Sequence, residues 1–183
     1  MHPRTEELLR HLDENRVVLR AAVDDVPPSL RETRPAPDVW SVAEVLEHLT
    51  RVEEQITRLL ASKLSEASTA GALGREADTT SVVDPMTHQV VSDRRRRITA
   101  GERVLPRGQL DAATALAALE SARDRLRELL IAHDGVTIAA VSHPHPAFGP
   151  IDGYGWFAFI GSHEARHAAQ IREVGAALSE RSA

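Results

Sequence analysis

Four long stretches of the sequence place apolar residues at every third or fourth position, and this period leaves little room for any architecture but packed helices. In the first, Leu8, Leu12, Leu19, Ala22 and Val26 share a face with Asn15, and a helix is expected from about Thr5 until Pro27 and Pro28 stop it. Ser41, with Glu44 three positions on, has the form of a capping box, in which each residue satisfies an amide that the helix start leaves over. It opens a second helix whose stripe of Val42, Val45, Leu49, Val52, Ile56 and Leu59 runs to the neighbourhood of Leu64. A third starts near Asp111, carries Leu116, Leu119, Leu126 and Leu130 on one face, and ends around His133. The last follows HPAFGPIDG, with Trp156, Ile160, His163, His167, Ile171, Val174 and Leu178 inward. No strand signal accompanies them. The predicted fold class is all-α: a four-helix bundle with a long connection between the second and third main helices.

That connection, from Ser65 to Gly108, is small and polar and is broken by Gly71, Gly74, Gly101 and Pro106. Asp84 before Pro85 suits the cap and first position of a short helix through MTHQVVSD, and the arginines from Arg94 to Arg97 read as its solvated end. The 183 residues suit a single domain, 1–183. A net charge of -5 gives no attraction for nucleic acid phosphates, so no nucleic acid partner is expected. With no cysteine, the chain offers neither disulfides nor thiolate ligands, and any thiol chemistry must use a thiol from outside. The N-terminus MHPRTEELLR is charged and lacks a secretion signal, and no apolar run is long enough to span a bilayer, so a cytoplasmic protein with no membrane partner is expected.

The chemistry concentrates in histidines. His163 and His167 are one helical turn apart and stand in the apolar stripe, where an imidazole must find a partner or pay roughly 1–3 kcal/mol for lost hydration. His48 lies one turn from Val45 and Val52 on the second helix and flanks the inward face too. Three neutral imidazoles from two helices have the form of an open catalytic zinc set, while hydrogen-bonded core histidines are the alternative. His163-Glu164-Ala165-Arg166-His167 also matches the metalloprotease string H-E-x-x-H, but Gln170 and Glu173 stand where metzincins need glycine and a third histidine. Glu164 is expected to be solvated unless it polarises water at a metal. Glu44 and Gln170 join it as candidate partners of the ligands, with Glu44 already explained by capping. His143 and His145 read as loop residues, and His2, His11, His88 and His133 as surface residues. Trp40 is expected to pack the bundle end.

WSVAEVLEHL in the second helix, ITAGERVLP before the third, HPAFGPI before the fourth and HEARHAAQI within it resemble the DinB-like superfamily. The resemblance implies a metal-binding four-helix bundle in which one histidine of the second helix and an H-x-x-x-H pair of the last bind a divalent metal, here His48, His163 and His167. Zinc or nickel suits such imidazole ligands best. Relatives with assigned activity are mostly transferases or isomerases that use bacillithiol, mycothiol or glutathione, and others are described as metal-dependent hydrolases. The resemblance therefore implies a thiol-dependent S-transferase acting on a small-molecule thiol and an electrophile. The alternatives are a hydrolase that activates water at the metal, or a noncatalytic, metal-stabilised stress-response module. A homodimer is also implied.

Overall fold

Ser41 caps the second long helix as its spacing predicts: its hydroxyl accepts from the Glu44 amide, and the Glu44 carboxylate accepts from the Ser41 amide at 2.9 Å. The same short-range chemistry starts other helices. Asp84 accepts from the amides of Met86 and Thr87, Asp111 from Thr114 and Asp152 from Gly155. The computed structural model describes residues 1–96 and 98–181. Its helices are α1 (Pro3–Asp24), α2 (Val42–Thr69), α3 (Pro85–Ser92), α4 (Ala112–Ala132) and α5 (Gly153–Glu180). Helix α2 runs about one turn beyond the neighbourhood of Leu64, because Leu64 still reaches the core and nothing before Gly71 breaks the chain.

α1 packs on α5 and α2 on α4, while α3 lies across α5. The apolar interior forms two clusters. One holds Leu8 and Leu12 of α1, Ile56 and Leu60 of α2, Leu126 and Leu130 of α4, and Phe157 and Ile160 of α5. The other holds Leu19, Leu46 and Leu49, Leu119, and Ala168 and Ile171 of the same helices. Along the chain α1 and α5 pass from the first cluster to the second, whereas α2 and α4 pass the other way. The connection from α2 to α4 must therefore return over the length of the bundle, which is why it is long. Gly161 lets α1 and α5 close up, since a Cβ there would come within 2.6 Å of the His11 ring.

Two expectations fail here. The chain from Ser142 to Asp152 forms a hairpin, β1 (Ser142–His145) antiparallel to β2 (Gly149–Asp152), with Pro144 opposite Pro150. Four-residue strands that each contain a proline give no alternating signal, and Gly149, at φ +75°, supplies the left-handed residue at the turn. Arg94, Arg95 and Arg96 also lie beyond α3 and do not form its end. Arg94 pairs with Glu173 of α5 at 2.7 Å, Arg95 with Asp93 at 3.0 Å, and Arg96 lies over the Phe148 ring. Arg97 falls outside the described residues. Among those described, no helix is long and apolar enough to cross a membrane.

Candidate metal centre

α2 and α5 bring His48, His163 and His167 together with their candidate ligand atoms all within 4.8 Å of one another. The ring of His48 lies 5.3 Å from that of His163 and 4.9 Å from that of His167, and the Nε2 atoms of His163 and His167 are 3.1 Å apart. Around a tetrahedral ion with bonds of about 2.0–2.1 Å, neighbouring nitrogens are separated by about 3.3 Å, a spacing that His163 and His167 already approach and that His48, within 4.8 Å of them, reaches by closing in.

The outer nitrogens decide which atoms face inward. His48 Nδ1 donates to the Val104 carbonyl at 2.8 Å, and His167 Nδ1 donates to Gln170 Oε1 at 2.8 Å. A carbonyl oxygen only accepts, so these rings carry their proton on Nδ1 and turn an Nε2 lone pair toward the centre. Burial pushes His163 and His167 well below the ordinary imidazole pKa, with the neighbouring rings adding to it, and burial also lowers His48. All three rings are neutral at neutral pH, the form in which an imidazole can bind a metal. A hydrogen bond between His163 and His167 would satisfy that pair alone and leave the His48 lone pair facing them. One cation satisfies all three.

Several groups around the centre carry no signal in residue type. Val104, which orients His48, comes from the long connection, and Arg51 holds that segment through the Arg103 carbonyl at 2.9 Å. Glu47, one position before His48, accepts from the amides of Arg107 and Gly108, both at 2.9 Å. Arg166, on the turn between the two α5 histidines, donates to the Asp93 and Arg96 carbonyls and ties the chain after α3 to α5. Trp40 packs on the bundle end, and its ring also lies 5.0 Å from that of His48. The hairpin builds one wall. Phe159 stacks on His163 at 5.3 Å, and His145 and Phe148 pack against Phe159. His143 and His145 are thus strand residues of this wall.

The remaining sequence candidates divide. Gln170 touches His167 directly. Glu44 makes its bonds to Arg34 and Ser41 at the start of α2. Glu164 is neither solvated nor turned toward the histidines: it is 1% exposed and lies between Arg16 and Arg123 in the bundle interior. A residue next to His163 is rotated about 100° around the helix, and that rotation sends Glu164 into the core. His11 is buried as well, 8% exposed, with Nε2 donating to the Ala158 carbonyl at 3.0 Å, while His88 is half-buried and bonded to the Ser162 hydroxyl. Their burial follows from the close approach of α1 and α3 to α5.

Comparison with known proteins agrees with this architecture. The chain is 23% identical over 150 residues to the uncharacterized protein YuaE of Bacillus subtilis (strain 168), covering 77% of this chain and 80% of YuaE. TT2238, a four-helix bundle protein of known crystal structure, superposes with a TM-score of 0.60 at 20% identity, over 92% of this chain and 98% of its own, a likeness of fold. The family model of the DinB superfamily matches residues 11–171, a span that includes all three histidines and all five helices in whole or in part. The chain belongs to the DinB superfamily.

Proposed function

We propose that His48, His163 and His167 hold one divalent metal, zinc or nickel, through Nε2, and that the centre serves S-transfer from a small-molecule thiol to an electrophile. The carrying observation is the convergence of three imidazoles, two of which, His48 and His167, are held with an Nε2 lone pair inward by Val104 and Gln170. A metal bound there supplies a Lewis-acidic position, which stabilises the thiolate form of a thiol at neutral pH. The protein's part is positioning. Val104 and Gln170 keep the rings from turning, and the Phe159, Phe148 and His145 wall limits water around His163. A cleft of about 230 Å³ lined by Pro35, Ala36, Val39, Arg94, Gln170 and Glu173 lies beside Gln170 and has room for a small organic group. The absence of cysteine is consistent with a thiol that arrives as a cosubstrate.

Elemental analysis after loading with zinc or nickel is expected to give one ion per chain, and His163→Ala is expected to weaken binding by more than the roughly 10–100-fold that loss of an outer partner costs. Turnover of an electrophile by the loaded protein is then expected to require added bacillithiol, mycothiol or glutathione. Equal turnover without thiol replaces S-transfer by hydrolysis, and equal metal content in His163→Ala removes the centre.

A further inference from the structure

A second buried polar cluster lies in the bundle and takes no part in the proposed centre. Each main helix contributes one residue: Arg16 from α1, Glu53 from α2, Arg123 from α4 and Glu164 from α5, with side chains only 8%, 2%, 4% and 1% exposed. In every helix the charge stands where the apolar repeat asks for a core residue: between Leu12 and Leu19, Leu49 and Ile56, Leu119 and Leu126, and Ile160 and Ala168. The cluster therefore separates the two apolar clusters.

Its connectivity is specific. Both carboxylates belong to the helices that carry the histidines, and both arginines bridge them. Arg123 reaches Glu53 at 2.7 Å and Glu164 at 3.0 Å, and Arg16 reaches Glu164 at 2.6 Å and Glu53 at 3.4 Å. Of the other guanidinium nitrogens, Arg123 Nη1 donates to the Leu12 carbonyl at 2.9 Å, and Arg16 Nη1 lies at ion-pair distance, 3.0 Å, from Glu120. The geometry points to a register brace: the network of Arg16, Glu53, Arg123 and Glu164 fixes the axial and rotational setting of α2 against α5, and so places His48 opposite His163 and His167.

Stability alone gives no reason for these charges, because apolar residues of similar volume commonly pack such a position as well or better. What the network adds is direction. Leucine against leucine tolerates a shift, whereas sliding one helix by a turn of about 5.4 Å leaves four charges unmatched in the interior. A centre with metal to nitrogen distances of about 2.0–2.1 Å needs such a constraint between its two helices. Glu53 is five residues from His48, about 7.5 Å along the axis, and Glu164 adjoins His163, so a setting fixed at the brace is carried to the ligands through rigid helix.

The inference rests on the metal reading, and two measurements separate their fates. The apolar variant Arg16→Met/Glu53→Leu/Arg123→Met/Glu164→Leu leaves no orphan charge and is compared with the native chain. With cobalt(II) as the probe, the variant is expected to stay helical by circular dichroism, to bind about 10–100-fold more weakly, and to show an altered d–d spectrum. In chelator-treated protein, the NMR contacts between the His48 ring and the rings of His163 and His167 are expected in the native chain and lost in the variant. Unchanged affinity, spectrum and ring contacts overturn the brace. Native protein that takes no cobalt overturns the metal reading, and the ring contacts still decide the brace. If the apolar variant does not fold, Arg123→Lys, which keeps the charge and loses the planar fork, is read in the same way: weaker cobalt binding supports the brace and native binding overturns it.

Discussion

His163 and Glu164 are neighbours on one helix and enter two buried polar clusters with opposite accounts. In the quartet around Glu164 two cations meet two anions at ion-pair distance, Arg123 also donates to the Leu12 carbonyl, and Arg16 lies 3.0 Å from Glu120, so the cluster is closed in charge even where Arg16 Nη1 and Glu164 Oε2 lack hydrogen-bond geometry. In the triad around His163 the outer nitrogens of His48 and His167 are satisfied, while the inner ones bring acceptors face to face. Buried polar groups in a folded chain are nearly always paired, so a closed cluster has a structural account and an open one calls for a ligand. The difference teaches where to look for chemistry in this bundle: at the three rings whose facing nitrogens a cation would balance, and away from the more heavily charged cluster beside them.

The largest effect should come from breaking the closed cluster. Arg123→Met leaves Glu53 and Glu164 side by side in the interior with Arg16 as the remaining buried partner, and an uncompensated buried charge costs about 3–5 kcal/mol. Urea denaturation should show a loss of that size. A loss below about 1 kcal/mol would mean that water reaches the quartet, and the contrast between the clusters would fail.

Acid should act on the open cluster instead. His163 and His167 have folded pKa values well below the ordinary value of 6.5, chiefly through burial. Well above pH 6.5 neither the folded nor the unfolded chain protonates these rings, and stability does not depend on their titration. Below it the unfolded chain takes up protons that the folded chain refuses, so stability falls as pH falls, with a slope that approaches about 1.4 kcal/mol per unit for each ring. Chelator-treated protein should thus lose stability progressively as pH falls below 6.5, and His167→Phe should remove about half of the part that these two rings contribute. A flat profile would show that the rings are hydrated and ready to charge.

Much of this was legible in the chain, and the exceptions have physical causes. The Ser41 and Glu44 cap, the α4 start at Asp111 and the histidine pair at one-turn spacing are local patterns, and local patterns are what spacing reports. The Val104 carbonyl is not such a pattern: any residue type offers one, and its meeting with His48 across 56 positions depends on the path of the connection. The hairpin is stabilised by packing on Phe159 more than by strand propensity. The quartet did leave a mark. The period that makes Leu119 and Leu126 core residues also passes through Arg123, and in α1 the same period passes through Arg16. A charge at an apolar position on each of four helices is a signal that the helices share it, but one sequence gives no way to pair the four before the fold is known. His11 shows the same limit, since its burial depends on Gly161 in a helix 150 residues away.

The finest test of the contrast concerns Gln170, which joins the open cluster to its surroundings. Gln170→Leu keeps a similar volume and removes the acceptor on His167 Nδ1. The ring is then free to turn or to change tautomer, and metal affinity should fall about 10-fold, at the lower end of what outer partners contribute. Gln170 is half-buried at the edge of the cleft, so the cost to folding should stay near 1 kcal/mol, the worth of a single hydrogen bond. Competition with a chromophoric chelator measures the first quantity and urea denaturation the second. A variant that lost stability and kept its metal affinity would place Gln170 with the closed cluster, as a group that holds the bundle together and does not aim a ligand.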